Sequence, residues 1–245
     1  MTVPVVIQAG GKGTRLYPYT TILPKPLMPV NEMPILEIVI RQLAHHGFRD
    51  LYITTGHLAH LIEAYFGDGS ALNTHITYVR EEKPLGTIGP ATKIPRPQKP
   101  FIVMNGDILT DLDFRALYNH HLSGNALLTV AVFQEKVPVS LGVIDWNDNK
   151  QVTHFREKPF LQFWASMGIY VFSPELWDII PSDTYYGFDT LMLDLLQAKR
   201  EVMVYPWNGI WLDIGRPEDY QGASDIFQNN RNRLLTPGGF EGINE

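Results

Sequence analysis

Residues 3–16 read Val-Pro-Val-Val-Ile-Gln-Ala-Gly-Gly-Lys-Gly-Thr-Arg-Leu. Val3 to Ala9 is a β-branched run of the kind that forms a buried strand, and the glycines that follow can turn tightly and present backbone amides to a phosphate. A Walker-type loop would close on Gly-Lys-Ser/Thr, and this one does not. A dinucleotide fingerprint would need a third glycine where Leu16 stands and an acid ending the second strand, which instead ends Thr54-Thr55-Gly56. Arg15 sets this loop apart from a glycine turn chosen only for its dihedrals, because a guanidinium fork matches two phosphate oxygens at once.

Working outward, β-rich runs at Leu51 to Thr55, Ile76 to Val79 and Phe101 to Met104 alternate with amphipathic stretches at Pro34 to His46 and His57 to Phe66. The rhythm predicts an α/β fold with a mixed, mostly parallel central sheet, helices on both faces, and ligands bound beyond the carboxyl ends of the strands. From Ala126 the strands crowd together: Leu127 to Phe133, Leu141 to Trp146, Val152 to Glu157 and Ala165 to Phe172, with turns at Asp148-Asn149 and Pro159-Phe160. A small antiparallel addition in the second half is therefore expected. Helices are predicted at Pro174 to Ile180, Phe188 to Lys199 and from Pro217 to Arg231, with a strand at Val202 to Tyr205. No repeat or linker marks a second unit, so residues 1–235 are expected to form a single domain, followed by a frayed tail over residues 236–245.

Composition narrows the function classes. The formal charge is -6 with no Lys/Arg-rich run, which argues against nucleic acid as a partner. No apolar stretch approaches the roughly 18 residues of a membrane span, and Met1 to Ala9 has neither a basic leader nor a small-residue cleavage site. A soluble, cytoplasmic protein without a membrane partner is expected. The chain has no cysteine, so disulfides, thiolate metal sites and a cysteine nucleophile are excluded and any metal must sit on oxygen or imidazole. Its eight histidines form no His-x-x-x-His pair in an acidic setting. Ser140, Ser166 and Ser173 lack the Gly-x-Ser-x-Gly context of a serine hydrolase.

Four further motifs carry chemistry. In Leu23-Pro24-Lys25-Pro26-Leu27 a lysine is launched from stiffened backbone, which suits a phosphate clamp better than a solvated surface lysine. Asn105-Gly106-Asp107 closes the strand Phe101 to Met104 with a carboxylate where Mg2+ commonly takes one or two acids. Asp213 lies among apolar residues in Trp211-Leu212-Asp213-Ile214-Gly215 and should need a partner or a metal. Glu157-Lys158-Pro159 repeats the pairing of a cation with a proline. Separately, Glu81-Glu82-Lys83-Pro84-Leu85-Gly86-Thr87 is read as opening a helix at Gly86 whose backbone groups could read a base.

Taken together, Gly10 to Leu16, Pro24-Lys25-Pro26, Pro84 to Thr87, Asn105-Gly106-Asp107, Glu157-Lys158-Pro159 and Trp211 to Gly215 resemble the sugar-1-phosphate nucleotidylyltransferase family, NDP-sugar pyrophosphorylases. The resemblance runs from Val3 to Tyr220 and is nearest to compact bacterial mannose- and heptose-1-phosphate guanylyltransferases. It implies a Rossmann-like nucleotidyltransferase fold, a nucleoside triphosphate and a sugar 1-phosphate as substrates, and Mg2+ held by Asp107 and Asp213. It assigns the nucleotide to Ala9, Gly10, Gly11, Gly13, Thr14, Arg15, Lys25, Glu81, Leu85, Gly86, Asn105 and Gly106. The sugar phosphate falls to Gly142, Glu157, Lys158 and Gly168. Arg15, Lys25, Asp107, Lys158 and Asp213 are the residues implied in catalysis, an in-line attack on the α-phosphorus that releases pyrophosphate.

Two departures bear on the substrate. Gln8 stands where the family usually has an apolar residue, and Ser166-Met167-Gly168-Ile169-Tyr170 replaces the commoner Asn-Ala-Gly-Ile-Tyr. GTP with mannose or heptose 1-phosphate is the first expectation, and a thymidylyl-, uridylyl- or cytidylyltransferase acting on glucose 1-phosphate is the alternative. A catalytically inactive ligand-sensing subunit is the rival of another class; the joint presence of both aspartates, both lysines and Arg15 speaks against it. A homo-oligomer is compatible with all of these readings.

Overall fold

In the computed structural model, which describes residues 2–235, β1 (Pro4–Ala9) runs through the middle of the molecule with Val5, Val6 and Ile7 fully buried. The expected tail at 236–245 lies outside the described residues. After β1 the chain makes a two-stranded antiparallel pair, β2 (Pro29–Val30) and β3 (Met33–Pro34), then α1 (Ile35–His45), β4 (Asp50–Thr55), α2 (Ala59–Phe66), β5 (His75–Arg80) and β6 (Phe101–Asn105). There follow β7 (Ile108–Thr110), α3 (Phe114–Ser123), β8 (Leu128–Pro138), β9 (Val143–Trp146), β10 (Val152–Arg156) and β11 (Phe160–Phe172). The chain closes with α4 (Leu176–Ile179), α5 (Phe188–Gln197), β12 (Val202–Trp207), β13 (Trp211–Asp213), α6 (Pro217–Asn229) and α7 (Arg231–Leu235).

Seven strands form the central sheet in the order β12-β8-β11-β6-β1-β4-β5. β1 is parallel to both β4 and β6, β4 to β5, and β12 to β8; β11 alone runs against its neighbours β6 and β8. The sheet is thus mixed and mostly parallel, and its central strands are apolar on both faces because both are covered there. Val5, Ile7, Ile102 and Met104 face a layer that includes Leu36, Val39 and Leu43 of α1, Ile62 of α2 and Leu117 of α3. Val6, Phe101 and Val103, one residue out of phase, face Leu176 of α4 with Leu191 and Leu195 of α5. A third cluster seats Ala223 and Phe227 of α6 and Leu234 of α7 on Ile35 and Ile38 of α1.

Several expected elements change length or kind. β8 and β11 extend beyond the sheet as a ribbon, so Pro159-Phe160 is where β11 begins, and the exposed ribbon residues on both faces hide the alternation that marks a strand. The helix expected over Pro174 to Ile180 is reduced to α4, because Ile180 precedes Pro181 and is held extended. Gly86 opens no α-helix: its φ is 78°, outside the helical region, and only a 3-10 turn at Gly89–Lys93 follows. The final helix breaks at Asn230 into α6 and α7. Among the described residues no helix is long and apolar enough to cross a membrane.

Candidate active site

β1, β4, β5 and β6 run in one direction, so their carboxyl ends share one edge, and there a cleft of about 660 Å³ opens. It is lined by the loop from Gly10 to Arg15 after β1, Gly56 and His57 after β4, Glu81 to Pro84 with Gly86 and Thr87 after β5, and Asn105 and Asp107 at the end of β6. A cleft of this size at strand ends fits a nucleotide-sized ligand.

The glycine loop is shaped by close approaches. Gly13 is left-handed at φ 61° and opens a single 3-10 turn, Thr14–Leu16, in which Leu16 N–H donates to Gly13 O at 2.9 Å. The Thr20 hydroxyl donates to the same carbonyl at 3.0 Å. Any side chain at Gly10 would collide with the Glu81 carboxylate, so the bare residue lets that acid reach the cleft wall. Glu81 Oε2 accepts the Leu85 N–H at 3.3 Å, and burial pushes its carboxyl above the usual range.

Lys25 leaves the short turn Lys25–Leu27 and ends between two aspartates, ion-paired to Asp107 and 3.4 Å from Asp213 Oδ1. Asp107 follows β6; Asp213 ends β13, whose antiparallel pairing with β7 sets Asp213 opposite Ile108 and so beside Asp107. Ile214 N–H donates to Asp107 O at 3.0 Å, and Gly215 N–H to Asp213 Oδ1 at 2.8 Å. A side chain at Gly215 would overlap the Lys25 ammonium. Arg15, largely exposed, points its guanidinium to 4.0 Å from Asp213 Oδ2. Burial pushes the Asp107 carboxyl up, with Lys25 working in the opposite direction. Among the described residues no group of three or more His, Asp or Glu gathers around a metal-sized space. Two carboxylates that bracket one ammonium nevertheless fit Mg2+, which takes one or two acids and completes its shell with water and substrate phosphates.

The residues implied for the nucleotide thus converge, with two exceptions. Leu85 is buried behind Glu81, and Gly106 is buried in a turn where its N–H donates to Gln8 O at 2.9 Å; neither lines the cleft. Those implied for the sugar phosphate are divided. Gly168, at φ 71° in an irregular stretch of β11, packs on the side-chain amide of Asn105. Gly142, Glu157 and Lys158 sit together outside the cleft lining, on the hairpin of β9 and β10 and the link to β11, with Glu157 and Lys158 exposed. Sequence reasoning passes over His57, Tyr185 and Gly215 as lining residues. His57 is findable from its place next to Gly56 at the end of β4; its Nε2 lies 3.1 Å from Thr20 O. Tyr185, in the loop before α5, carries no such signal.

A family model described as Nucleotidyl transferase matches residues 4–230. The UTP–glucose-1-phosphate uridylyltransferase of Synechocystis is 33% identical over 95% of this chain and 66% of its own length. The mannose-1-phosphate guanylyltransferase of Mycobacterium tuberculosis is also 33% identical, over 91% of this chain and 64% of its own. The chain therefore spans about two thirds of the length of these curated relatives. Among solved structures, a putative glucose-1-phosphate thymidylyltransferase from Bacillus anthracis shares the fold, with a TM-score of 0.75 over 99% of this chain and 98% of the other at 21% identity. HddC from Yersinia pseudotuberculosis, solved also with GMP-PN, superposes with a TM-score of 0.71 at 27% identity, over 92% of this chain and all of its own.

Proposed function

The chain belongs to the nucleotidyl transferase family, and on that premise we propose that it is a single-domain sugar-1-phosphate nucleotidylyltransferase using GTP with mannose or heptose 1-phosphate. In the reaction an oxygen of the sugar phosphate attacks the α-phosphorus of the triphosphate, a new P–O bond forms, and the bond to the β-phosphate breaks to release pyrophosphate. The protein's task is to align two anions and offset their charge, so no covalent nucleophile is needed. Amides of the Gly10–Gly13 loop and the Arg15 fork receive the triphosphate, and Arg15 with Lys25 offsets the charge that gathers on the leaving pyrophosphate. Lys158 and Glu157 meet the sugar phosphate and its hydroxyls. Mg2+, held by Asp107 and Asp213, would supply charge neutralisation across the phosphate oxygens.

The observation that favours guanine is the Glu81 carboxylate on the cleft wall. An ionised carboxylate only accepts hydrogen bonds. Guanine offers it two adjacent donors, N1–H and the N2 amino group, whereas uracil and thymine flank their single N3–H with carbonyl oxygens that a carboxylate repels. Pyrophosphate release should be measured with five nucleoside triphosphates against mannose, heptose and glucose 1-phosphates, with and without Mg2+, and with Asp107→Ala as control. Activity confined to GTP with mannose or heptose 1-phosphate, lost without metal and in the control, is the expected result. A preference for UTP, dTTP or CTP with glucose 1-phosphate would transfer the assignment to the pyrimidine enzymes. Silence from folded protein across the panel would favour a sensing subunit.

A further inference from the structure

The loop before α5, from Asp183 to Gly187, is fastened at three points to the segment that follows β5. At one end the Asp183 carboxylate pairs with Lys83 at 2.7 Å and with Lys93 at 2.8 Å. In the middle Tyr186 N–H donates to Leu85 O at 2.9 Å, and Tyr186 O accepts from Ile88 N–H at 3.0 Å and Gly89 N–H at 3.1 Å. Just beyond the loop Phe188 N–H donates to the Thr87 hydroxyl at 2.9 Å. Bare residues permit so close an approach: a Cβ at Gly86 would lie 2.7 Å from Tyr186 O, and one at Gly89 2.8 Å from Thr184 O.

Between these fastenings the two tyrosines differ in environment. Tyr186 is buried and its hydroxyl donates to Asp194 Oδ2 of α5 at 2.5 Å, whereas Tyr185 is 69% exposed and lines the cleft. An exposed tyrosine alone says little. This one stands on backbone held on either side of it, and its ring has only two torsions to lose on meeting a ligand. Its place tells which part of a nucleotide it meets. Leu85 gives its N–H to the Glu81 carboxylate, at 3.3 Å, and its carbonyl to the residue after Tyr185, so the acid proposed to read the base and the ring are tied to a single residue. Arg15 and Lys25, which receive the phosphates on that reading, gather instead at Asp213. Tyr185 carries no charge to hold a phosphate; what it offers is a π-face. A carboxylate at the edge of a base fixes the base within its plane and leaves both faces uncovered, and an aromatic ring covers one of them.

We infer that the Tyr185 ring is the platform on which the base of the nucleoside triphosphate stacks, a reading that rests on the cleft holding that nucleotide. Isothermal titration of the full chain with GTP, UTP and inorganic tripolyphosphate, without sugar phosphate, tests it. Tyr185→Ala should weaken GTP binding about 5- to 100-fold, the range that loss of one stack of base on aromatic ring brings, and UTP binding, where the unaltered chain shows it, by a similar factor, because every base has a π-face. Tyr185→Phe keeps the ring and should restore the affinity. Tripolyphosphate has no base, so its affinity should be the same in all three proteins. Thermal unfolding should show both variants folded, since the side chain is exposed. GTP binding untouched in Tyr185→Ala, an equal loss of tripolyphosphate binding, or a Tyr185→Phe variant as weak as the alanine one would each overturn the inference while leaving a nucleotide site in place. An unaltered chain that binds neither nucleotide would overturn the reading on which the inference rests, and the inference with it.

Discussion

Glu81 and the Lys25–Asp107–Asp213 group make separable demands on a single side chain. If Glu81 reads the base as proposed, the demand there is donor and acceptor identity, which a substitution can alter without altering shape. Glu81→Gln keeps the side chain's size and supplies one donor and one acceptor, the pattern that uracil and thymine complement. GTP should lose about 10- to 100-fold in kcat/KM, the usual worth of a two-point base contact of 1–3 kcal/mol, while UTP and dTTP gain. Pyrophosphate release under competing nucleotides measures this; an unchanged ranking would show that Glu81 does not read the base. At Lys25 the demand is charge. Its ammonium is the cation between two aspartates, and its side chain is only 12% exposed. Lys25→Ala leaves the acids facing each other and should cost about 3 kcal/mol of stability. Millimolar Mg2+ should restore part of that loss, because a divalent cation can stand where the ammonium stood. Thermal unfolding with and without Mg2+ gives the answer, and a variant that ignores the ion would remove the case for a metal held by Asp107 and Asp213.

At the level of elements, His121 fastens α3 to the sheet. Its Nε2 lies 3.1 Å from Ser173 Oγ and its Nδ1 2.8 Å from Thr129 Oγ1. Ser173 already donates its hydroxyl proton to Ala126 O at 2.9 Å, so it must accept from His121 Nε2–H, and Nδ1 then accepts from Thr129. That arrangement calls for a neutral ring, and burial pushes its pKa down from 6.5 to about 4. The folded value lies below the unfolded one, so the contribution to stability is whole above pH 6.5 and drains away as the pH falls toward 4. The loss reaches about 3 kcal/mol at 1.36 kcal/mol per pH unit. Urea unfolding at pH 7 and pH 4.5 should show that fall in the parent chain and a smaller one in His121→Gln. The same helix shows what sequence reading captures and what it misses. β1, β4 and β6 announce themselves because a strand covered on both faces is a largely apolar run, and the half-buried edge strand β5 does so through its β-branched and aromatic Ile76-Thr77-Tyr78-Val79, with a turn signal at each carboxyl end. α3 escapes such a reading because Arg115, Asn119 and two histidines interrupt its apolar residues, although its start is marked: Asp113 caps it by accepting the Ala116 N–H at 2.8 Å. β7 and β13 are three residues each, too short for any periodicity, and only their pairing across about 100 residues explains why Asp213 meets Asp107. Arg15, Lys25 and Asp107 are readable because each sits in a local motif beside its own strand or turn. The union of Asp107 with Asp213 rests on a long-range register that no short window contains.

On the proposed assignment, the residues for the two substrates fall on parts of the molecule with unequal support. The cleft proposed for the nucleotide is built on the ends of β1, β4 and β6, each flanked by two strands, and of β5 at the sheet edge, with helices packed on both faces of the sheet. Gly142, Glu157 and Lys158, by contrast, belong to an arm that reaches past the sheet and lies bare to solvent in a single chain. Phe155, exposed on the hairpin, touches the Gly142 position, and Gly142 in turn lies against the Glu157 carboxylate, so what holds Phe155 also holds the residues proposed for the sugar phosphate. A change at Phe155 would loosen these three residues and leave the cleft at the strand ends as it is. The Phe155→Ala variant should therefore show a raised KM for the sugar 1-phosphate, by up to about a hundredfold given how steeply positioning errors penalise a two-substrate reaction, with the KM for the triphosphate within a factor of about two. Initial rates with each substrate varied at saturation of the other separate the two constants. An equal rise in both would mean that the substitution disturbs the whole fold, and no rise in either would mean that Glu157 and Lys158 are positioned without Phe155 or do not meet the sugar phosphate.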